Sequence, residues 1–349
     1  MRRVRLHGPT LLALAALLLP AASLAAQPAE EARAALHAGE YDDAIRAFRR
    51  VLRDDPDAAG ARRGLVEALR VTGALDEAEE VARSASDPAS LANALGRVLE
   101  ARGELEAAET AYRRADDGGT ADALTARANL AELLFRTGRV EEALALFDTF
   151  IDVYNGAGGS LTAPELVAVG RAVRRLGRDD PALFQDALRA FDEAAAAAPG
   201  WAEPRVLLGE LFLEKYQGPE ARGELEEALG INPHHPRALL AMARVLEFQG
   251  EPGARERARE ALEVNPDMVE ARALLARVQL TREERDEARA QAGRALEANP
   301  SSLEALTAMA AVHHLAGEEA EFQAVRNRAL AINPRYAELD ATVATLAER

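Results

Sequence analysis

The chain has no cysteine, one tryptophan and only 4% aromatic residues among its 349. Without cysteine it can form neither disulfides nor thiolate metal sites, so the fold must stand on packing alone. With so few aromatics, Ala and Leu carry that packing, which suits close helix–helix contacts rather than a large aromatic core. Alternating runs of β-branched residues, the mark of strands, are missing as well. Basic charge is scarce: Lys+Arg 42 against Asp+Glu 58 gives a formal net charge of −16. That balance argues against nucleic acid and anionic membrane surfaces as partners, since both call for a basic face. Lys215 is the only lysine; the other cations are Arg.

What is present begins with a separate N-terminus. Arg2, Arg3 and Arg5 precede an apolar stretch, 11–19, which Pro20 breaks; Ser23-Leu24-Ala25 follows as a small-x-small site. This pattern predicts a secretory signal peptide over 1–25, cut after Ala25 or Ala26, and therefore export to a periplasm or cell envelope. The apolar core is too short for a comfortable membrane span, and no cysteine follows it to carry a lipid. Loss of the three arginines takes the net charge from −16 to −19.

The most regular feature is a proline ladder: Pro199, Pro233, Pro266, Pro300 and Pro334, the last four each preceded by Asn232, Asn265, Asn299 or Asn333. A period of about 34 residues suits two helices of three to four turns joined by short turns. Proline lacks the amide that a continuing helix needs, and Asn tolerates the conformations that end one. Between Pro266 and Pro300 the pattern predicts one helix over 268–280, a polar break at 281–286, and a second helix over 287–297.

Small residues recur where the paired helices should cross: Ala44, Ala78, Ala108, Ala143, Ala187, Ala221, Ala254 and Ala288, with Phe322 ninth. Larger partners sit four residues on in several repeats, as Phe48, Tyr112, Phe147, Phe191 and Leu225 do. With Leu208, Gly209, Ala221, Leu225, Ala228 and Pro233 in one repeat, and Met309, Ala310, Ala329 and Pro334 in another, the pattern resembles the tetratricopeptide repeat over about residues 26–348. The resemblance implies an all-α, right-handed superhelical solenoid of antiparallel helix pairs, about nine repeats plus a terminal helix.

Four repeats fill 26–154, with turns at Gly39, Gly73, Gly103 and Gly138, where glycine supplies the positive φ that closes the first helix. A Gly-rich stretch, 155–160, reads as a flexible join between two sub-arrays. The second sub-array spans 161–349 and opens with a repeat whose turn is lengthened at Asp179-Asp180-Pro181. It ends on a lone helix after Pro334, expected either to cap the last repeat or to be the point at which a longer protein is cut.

No catalytic constellation is visible. His234-His235 falls in an inter-repeat turn, and His313-His314 lies on a helix without the His-Glu-x-x-His spacing of a zinc site. The Asp pairs at 42–43, 54–55, 116–117 and 179–180 sit at helix ends, where they complement free amides. The stretch 156–160 lacks the Gly-Lys-Ser/Thr of a phosphate loop. Neither an enzyme activity nor a cofactor is expected.

The resemblance places the first helix of each repeat on a concave face that binds peptides. Projected onto this chain, the groove positions are Arg97, Glu132, Arg171, Arg174, Glu210, Arg244, Glu247, Arg277 and His314. Arg171, Arg174, Arg175 and Arg178 are the densest basic cluster of an acidic chain. Guanidinium forks bind carboxylates in bidentate fashion, so an acidic or C-terminal peptide is one expected ligand; pairing of the arginines with Glu165 and Glu210 is the competing structural role. The functional expectation is a non-catalytic exported scaffold for a protein or peptide partner. The spacing and Ile332–Tyr336 also look like the repeat region of larger exported gluzincin-type zinc peptidases, whose His-Glu-x-x-His is absent here. A third expectation is an arm of an envelope polysaccharide or outer-membrane assembly system.

Overall fold

Helix formers dominate between the breaks, and acids gather in first turns, as with Asp42 and Asp43 or Glu141 and Glu142, where they oppose the helix dipole. A computed structural model describes residues 21–177 and 181–348, and among these it contains 19 α-helices and no strand. The first four antiparallel pairs are α1 (Ala21–Ala38) with α2 (Tyr41–Asp54), α3 (Ala59–Val71) with α4 (Leu75–Arg83), α5 (Ala92–Ala101) with α6 (Leu105–Asp117), and α7 (Ala123–Arg136) with α8 (Val140–Ala157). Then come α9 (Ala163–Leu176) with α10 (Pro181–Ala197), α11 (Glu203–Glu214) with α12 (Gly218–Ile231), and α13 (Pro236–Gln249) with α14 (Ala254–Val264). The array closes with α15 (Val269–Leu280) and α16 (Arg285–Ala298), α17 (Leu303–Ala316) and α18 (Glu319–Ile332), and a single α19 (Glu338–Ala347). The expected signal segment lies, through residue 20, outside the described residues, as do 178–180 of the lengthened turn.

Three of the pairs, α5–α6, α9–α10 and α11–α12, are held by a size match. A methyl group on Gly96 would strike the ring of Tyr112, one on Gly170 the ring of Phe191, and one on Gly209 the side chain of Leu225. The bare backbone of the odd-numbered helix thus seats the large residue of its even-numbered partner. Phe48, Tyr112, Phe147, Phe150 and Phe191, five of the chain's fifteen Phe, Tyr and Trp residues, are fully buried. Burial of a side chain of this size contributes about 2–3 kcal/mol. The Ala ladder packs against the same crossings, with Ala44, Ala78, Ala108, Ala143, Ala187, Ala221 and Ala288 all inaccessible.

The glycine-rich join is shorter than its composition predicts. Residues 155–157 are the last turn of α8, and the left-handed Gly158 ends it. One hydrophobic core runs across the join, from Phe147 and Phe150 of α8 to Leu166 and Val167 of α9. The entry to α9 is fixed by a capping box, in which Glu165 accepts from the backbone amide of Thr162 at 2.8 Å.

Consecutive odd-numbered helices also touch one another, which puts them on the inside of the curve. Eleven helices on, the curve meets itself. The α1–α2 turn packs on the α12–α13 turn, where the Tyr41 hydroxyl donates to the carbonyl of His234 at 3.2 Å. The α5–α6 turn packs on the α16–α17 turn, with Ser301 Oγ donating to the carbonyl of Gly103 at 2.9 Å. Arg335, after α18, pairs with Glu141 of α8 at 2.8 Å. The chain is therefore a superhelix of stacked coils with five and a half helix pairs per turn and a continuous seam between them.

The seam explains both the Asn residues that precede the prolines and the glycines of the first four turns. Asn232, Asn265, Asn299 and Asn333 each accept, through Oδ1, the amide two residues on, at 2.9–3.0 Å, forming a turn that starts the next helix. Those carboxamides lie against Gly39, Gly73, Gly103 and Gly138 of the coil below. A methyl group at Gly73 or Gly138 would come within 2.5 or 2.6 Å of the Asn oxygen. On the uncovered edge of the second coil the rule relaxes. Gly250 and Gly317 have open space around them, and Tyr216 and Glu283 occupy the corresponding turns at φ 60° and 62°.

Beyond Pro334, α19 lays Leu339 and Val343 on α17, and Tyr336 bonds Thr307 at 3.0 Å. Its position is that of a further odd-numbered helix.

The concave interior as a candidate binding site

The inner faces of α3 to α15 are lined with charge. Glu67 of α3 pairs with Arg70 and, from α5, Arg97, both at 2.9 Å. Glu100 of α5 accepts from the hydroxyl of Tyr112 and from Arg136 of α7 at 2.6 Å. Glu132 of α7 pairs with Arg175 of α9 at 2.8 Å, and the Arg175 guanidinium lies 4.9 Å from the centre of the Phe135 ring. Arg174 of α9 reaches Glu210 of α11 at 3.5 Å and also binds Glu214. Arg237 of α13 bridges Glu210 at 2.6 Å and Glu203 at 2.5 Å. Farther along, Arg277 pairs with Glu247 at 2.8 Å.

Each pair joins one odd-numbered helix to the next or closes within one, so the network stitches the inner wall. Burial alone would raise the Glu210 carboxyl, but Arg237 and Arg174, with Arg244 nearby, hold it down at about 2. Burial likewise opposes ionisation of Glu132, and Arg175 and Arg171 overcome it.

Two arginines stand outside this pairing. Arg171, of α9, donates to Asn129 Oδ1 at 2.8 Å; Asn129 donates in turn to Asn93 at 2.9 Å, and Asn93 to Thr125 at 3.1 Å. Neutral amides, not a carboxylate, hold Arg171 in place. Burial lowers its affinity for the proton; Glu132 opposes that and Arg237 adds to it. Among the described residues Arg244 has no ion pair or side-chain hydrogen bond, though it lies near Glu210.

Of the positions projected from sequence, Arg97, Glu132, Arg174, Glu210, Glu247 and Arg277 are members of the ion-pair network, with Arg171 and Arg244 beside it. His314 is apart from them: it is exposed, and its ring packs 5.2 Å from that of Phe322 on α18. Glu165 is taken by the α9 cap rather than by an arginine. Arg178 lies outside the described residues. The sequence singles out Asn129 only as a lone match to the family's carboxylate-binding set and gives no role to Asn93 or Arg237. The signal for the two Asn was available, since amides are unusual on the inner face of a helix otherwise bearing Ala, Leu, Arg and Glu.

The described residues contain no group of three or more His, Asp or Glu arranged to hold a metal, and none of their helices is long and apolar enough to cross a membrane. What the interior offers is charge-assisted hydrogen bonding, the means by which a scaffold holds a polypeptide.

An α-solenoid built of antiparallel helix pairs, with its polar residues turned to the inside of the curve, defines a class of scaffold proteins. The family model described as tetratricopeptide repeat matches residues 29–90, 93–158 and 240–302, more than half of the chain, and the chain belongs to that family. The unmatched middle folds into the same kind of pair, α9 to α12. No curated protein matches the chain. Among solved structures, a tetratricopeptide repeat protein from Parabacteroides merdae ATCC 43184 is 14% identical, with a TM-score of 0.48 over 75% of this chain and 99% of that one.

Proposed function

We propose that the protein is a non-catalytic scaffold that holds a protein or peptide partner in its concave interior, and that it does so in the bacterial envelope after export. Arg171 carries this reading: a half-buried guanidinium oriented by Asn129 and left without a carboxylate, in a wall where nearly every other arginine has one. A carboxylate from a partner, an acidic side chain or a chain terminus, would supply the missing charge, and Arg244 is the second unpaired donor on the same wall. The N-terminal segment 1–25 supports the envelope location.

The test is a binding screen of Arg171→Gln with Arg244→Gln against a library of fluorescent peptides that carry acidic residues or free C-termini. Neither substitution breaks an ion pair, so the variant should unfold with the native midpoint. At least a tenfold loss of affinity for peptides that bind the native chain is expected, equivalent to about 1.4 kcal/mol or more. Equal binding by the native and variant chains would overturn the reading. For location, the N-terminus of the mature protein recovered from an envelope fraction should be residue 26 or 27.

A further inference from the structure

A cavity of about 420 Å3 lies between α15 and α16, beside the α14–α15 turn and distinct from the charged wall described above; Asp267, Arg272, Arg294, Glu297 and Ala298 line it. Arg272 is only 8% exposed. It donates to Gln291 Oε1 at 2.9 Å and to the carbonyl of Pro266, while its buried Nε–H has no acceptor. Among the described residues no carboxylate is close enough to pair with it. A buried guanidinium held only by neutral groups is costly, because a charge removed from water needs a counter-charge.

The chain contains its own control. Arg205 follows Pro199 by the same six residues that separate Arg272 from Pro266. Arg205 has its counter-charges on the following helix, Glu224 at 2.8 Å and Glu227 at 3.0 Å. The equivalents on α16 are Gln291, at the same 19-residue separation, and Arg294 three residues later. One carboxylate has become a neutral amide and the other a second guanidinium. Burial and Arg294 both weaken the hold of Arg272 on its proton, while Asp267 and Glu297 oppose them from beyond contact.

From this substitution of the internal counter-charges we infer that the α15–α16 cavity is an anion site that takes a compact carboxylate, bound by Arg272 and Arg294. The volume admits a small organic acid. Asp267 and Glu297 on the same lining disfavour a dianion, which separates a carboxylate from phosphate. The site is independent of the concave interior and of any partner held there.

Thermal unfolding of the full chain in sodium acetate, sodium phosphate or sodium chloride, at matched ionic strength, tests the assignment. The control is Gln291→Glu with Arg294→Glu, which restores the arrangement around Arg205; Arg294→Glu alone replaces it should the double variant not fold. The readout is the difference between native and control chains, in which general salt effects cancel. In chloride the control should melt higher than the native chain. Acetate should raise the native midpoint with the logarithm of its concentration and leave that of the control unchanged beyond its chloride value. The inference fails if native and control respond alike to acetate, or if phosphate raises the native midpoint as much as acetate does.

Discussion

The side-chain nitrogen of Asn232 donates to the hydroxyl of Tyr41 at 3.1 Å, across 191 residues of sequence. The oxygen of the same carboxamide caps its own turn and rests where Gly39 has no side chain. Asn299 repeats the arrangement, donating to the carbonyl of Glu100 at 3.2 Å. Asp55, at the corresponding place in the first coil, makes the local turn by accepting from Asp57 N at 3.1 Å, but it is exposed and faces no second coil. The amide therefore does what a carboxylate cannot: it accepts within its own coil while donating to the neighbouring one.

Asn232→Asp should keep the turn and lose the seam. The donor to Tyr41 disappears and a carboxylate replaces it at a buried position, a change worth roughly 1–3 kcal/mol. Asp55→Asn, the reverse exchange on a free edge, should change stability by less than about 0.5 kcal/mol. Urea unfolding of the two variants gives the comparison; equal effects would remove the seam from the explanation of the Asn ladder.

Gly103 and Gly317 both have positive φ, 80° and 73°, yet only Gly103 meets an Asn side chain. Gly317→Ala should cost about 1 kcal/mol from backbone strain alone. Gly103→Ala should cost about 1–3 kcal/mol more, because its methyl group must displace Asn299. Matched urea midpoints for the two variants would show that the coils are not in contact there.

Acid should loosen the inner wall. The folded-state value for Glu210 is depressed to about 2, so its contribution is complete above the ordinary glutamate value of 4.5 and is lost as pH falls through the interval between them. Stability measured from pH 6 down to pH 2 should decline, with up to ~3 kcal/mol of the change assignable to this group. Glu210→Gln should flatten that part of the profile. Arg174 and Arg237 keep Glu214 and Glu203 as partners, so the variant should still fold.

The period, the helix pairs and the positive φ of Gly39, Gly73, Gly103 and Gly138 were legible in the sequence, because each rests on local chemistry: proline stops, glycine turns, and apolar spacing. The stacking of coils was not. It arises from a small rotation per pair accumulated over eleven helices, and no window of sequence contains both partners. Its trace is present all the same, in the use of Asn before proline at 232, 265, 299 and 333 against Asp at 55 and 87. The inner positions were legible as positions, from the face of each odd-numbered helix, but their pairing was not. Whether an arginine meets Glu214 or Asn129 depends on how adjacent helices slide past each other. Likewise the glycines at 156 and 158–159 predict a flexible join, whereas the packing of α8 on α9 draws residues 155–157 into the helix.

The stacked-coil superhelix is tested most directly by a distance. The native chain has no cysteine, so Glu141→Cys with Arg335→Cys gives two unique labelling sites, at the cost of one exposed ion pair worth about 0–1 kcal/mol. Double electron–electron resonance between spin labels at these sites should return a single narrow distribution below about 25 Å, whereas an open superhelix would add at least the length of a 14-residue helix, about 20 Å. A single short distance in the double-cysteine chain is the predicted result. A broad or long distribution in the parent double-cysteine chain would contradict the seam.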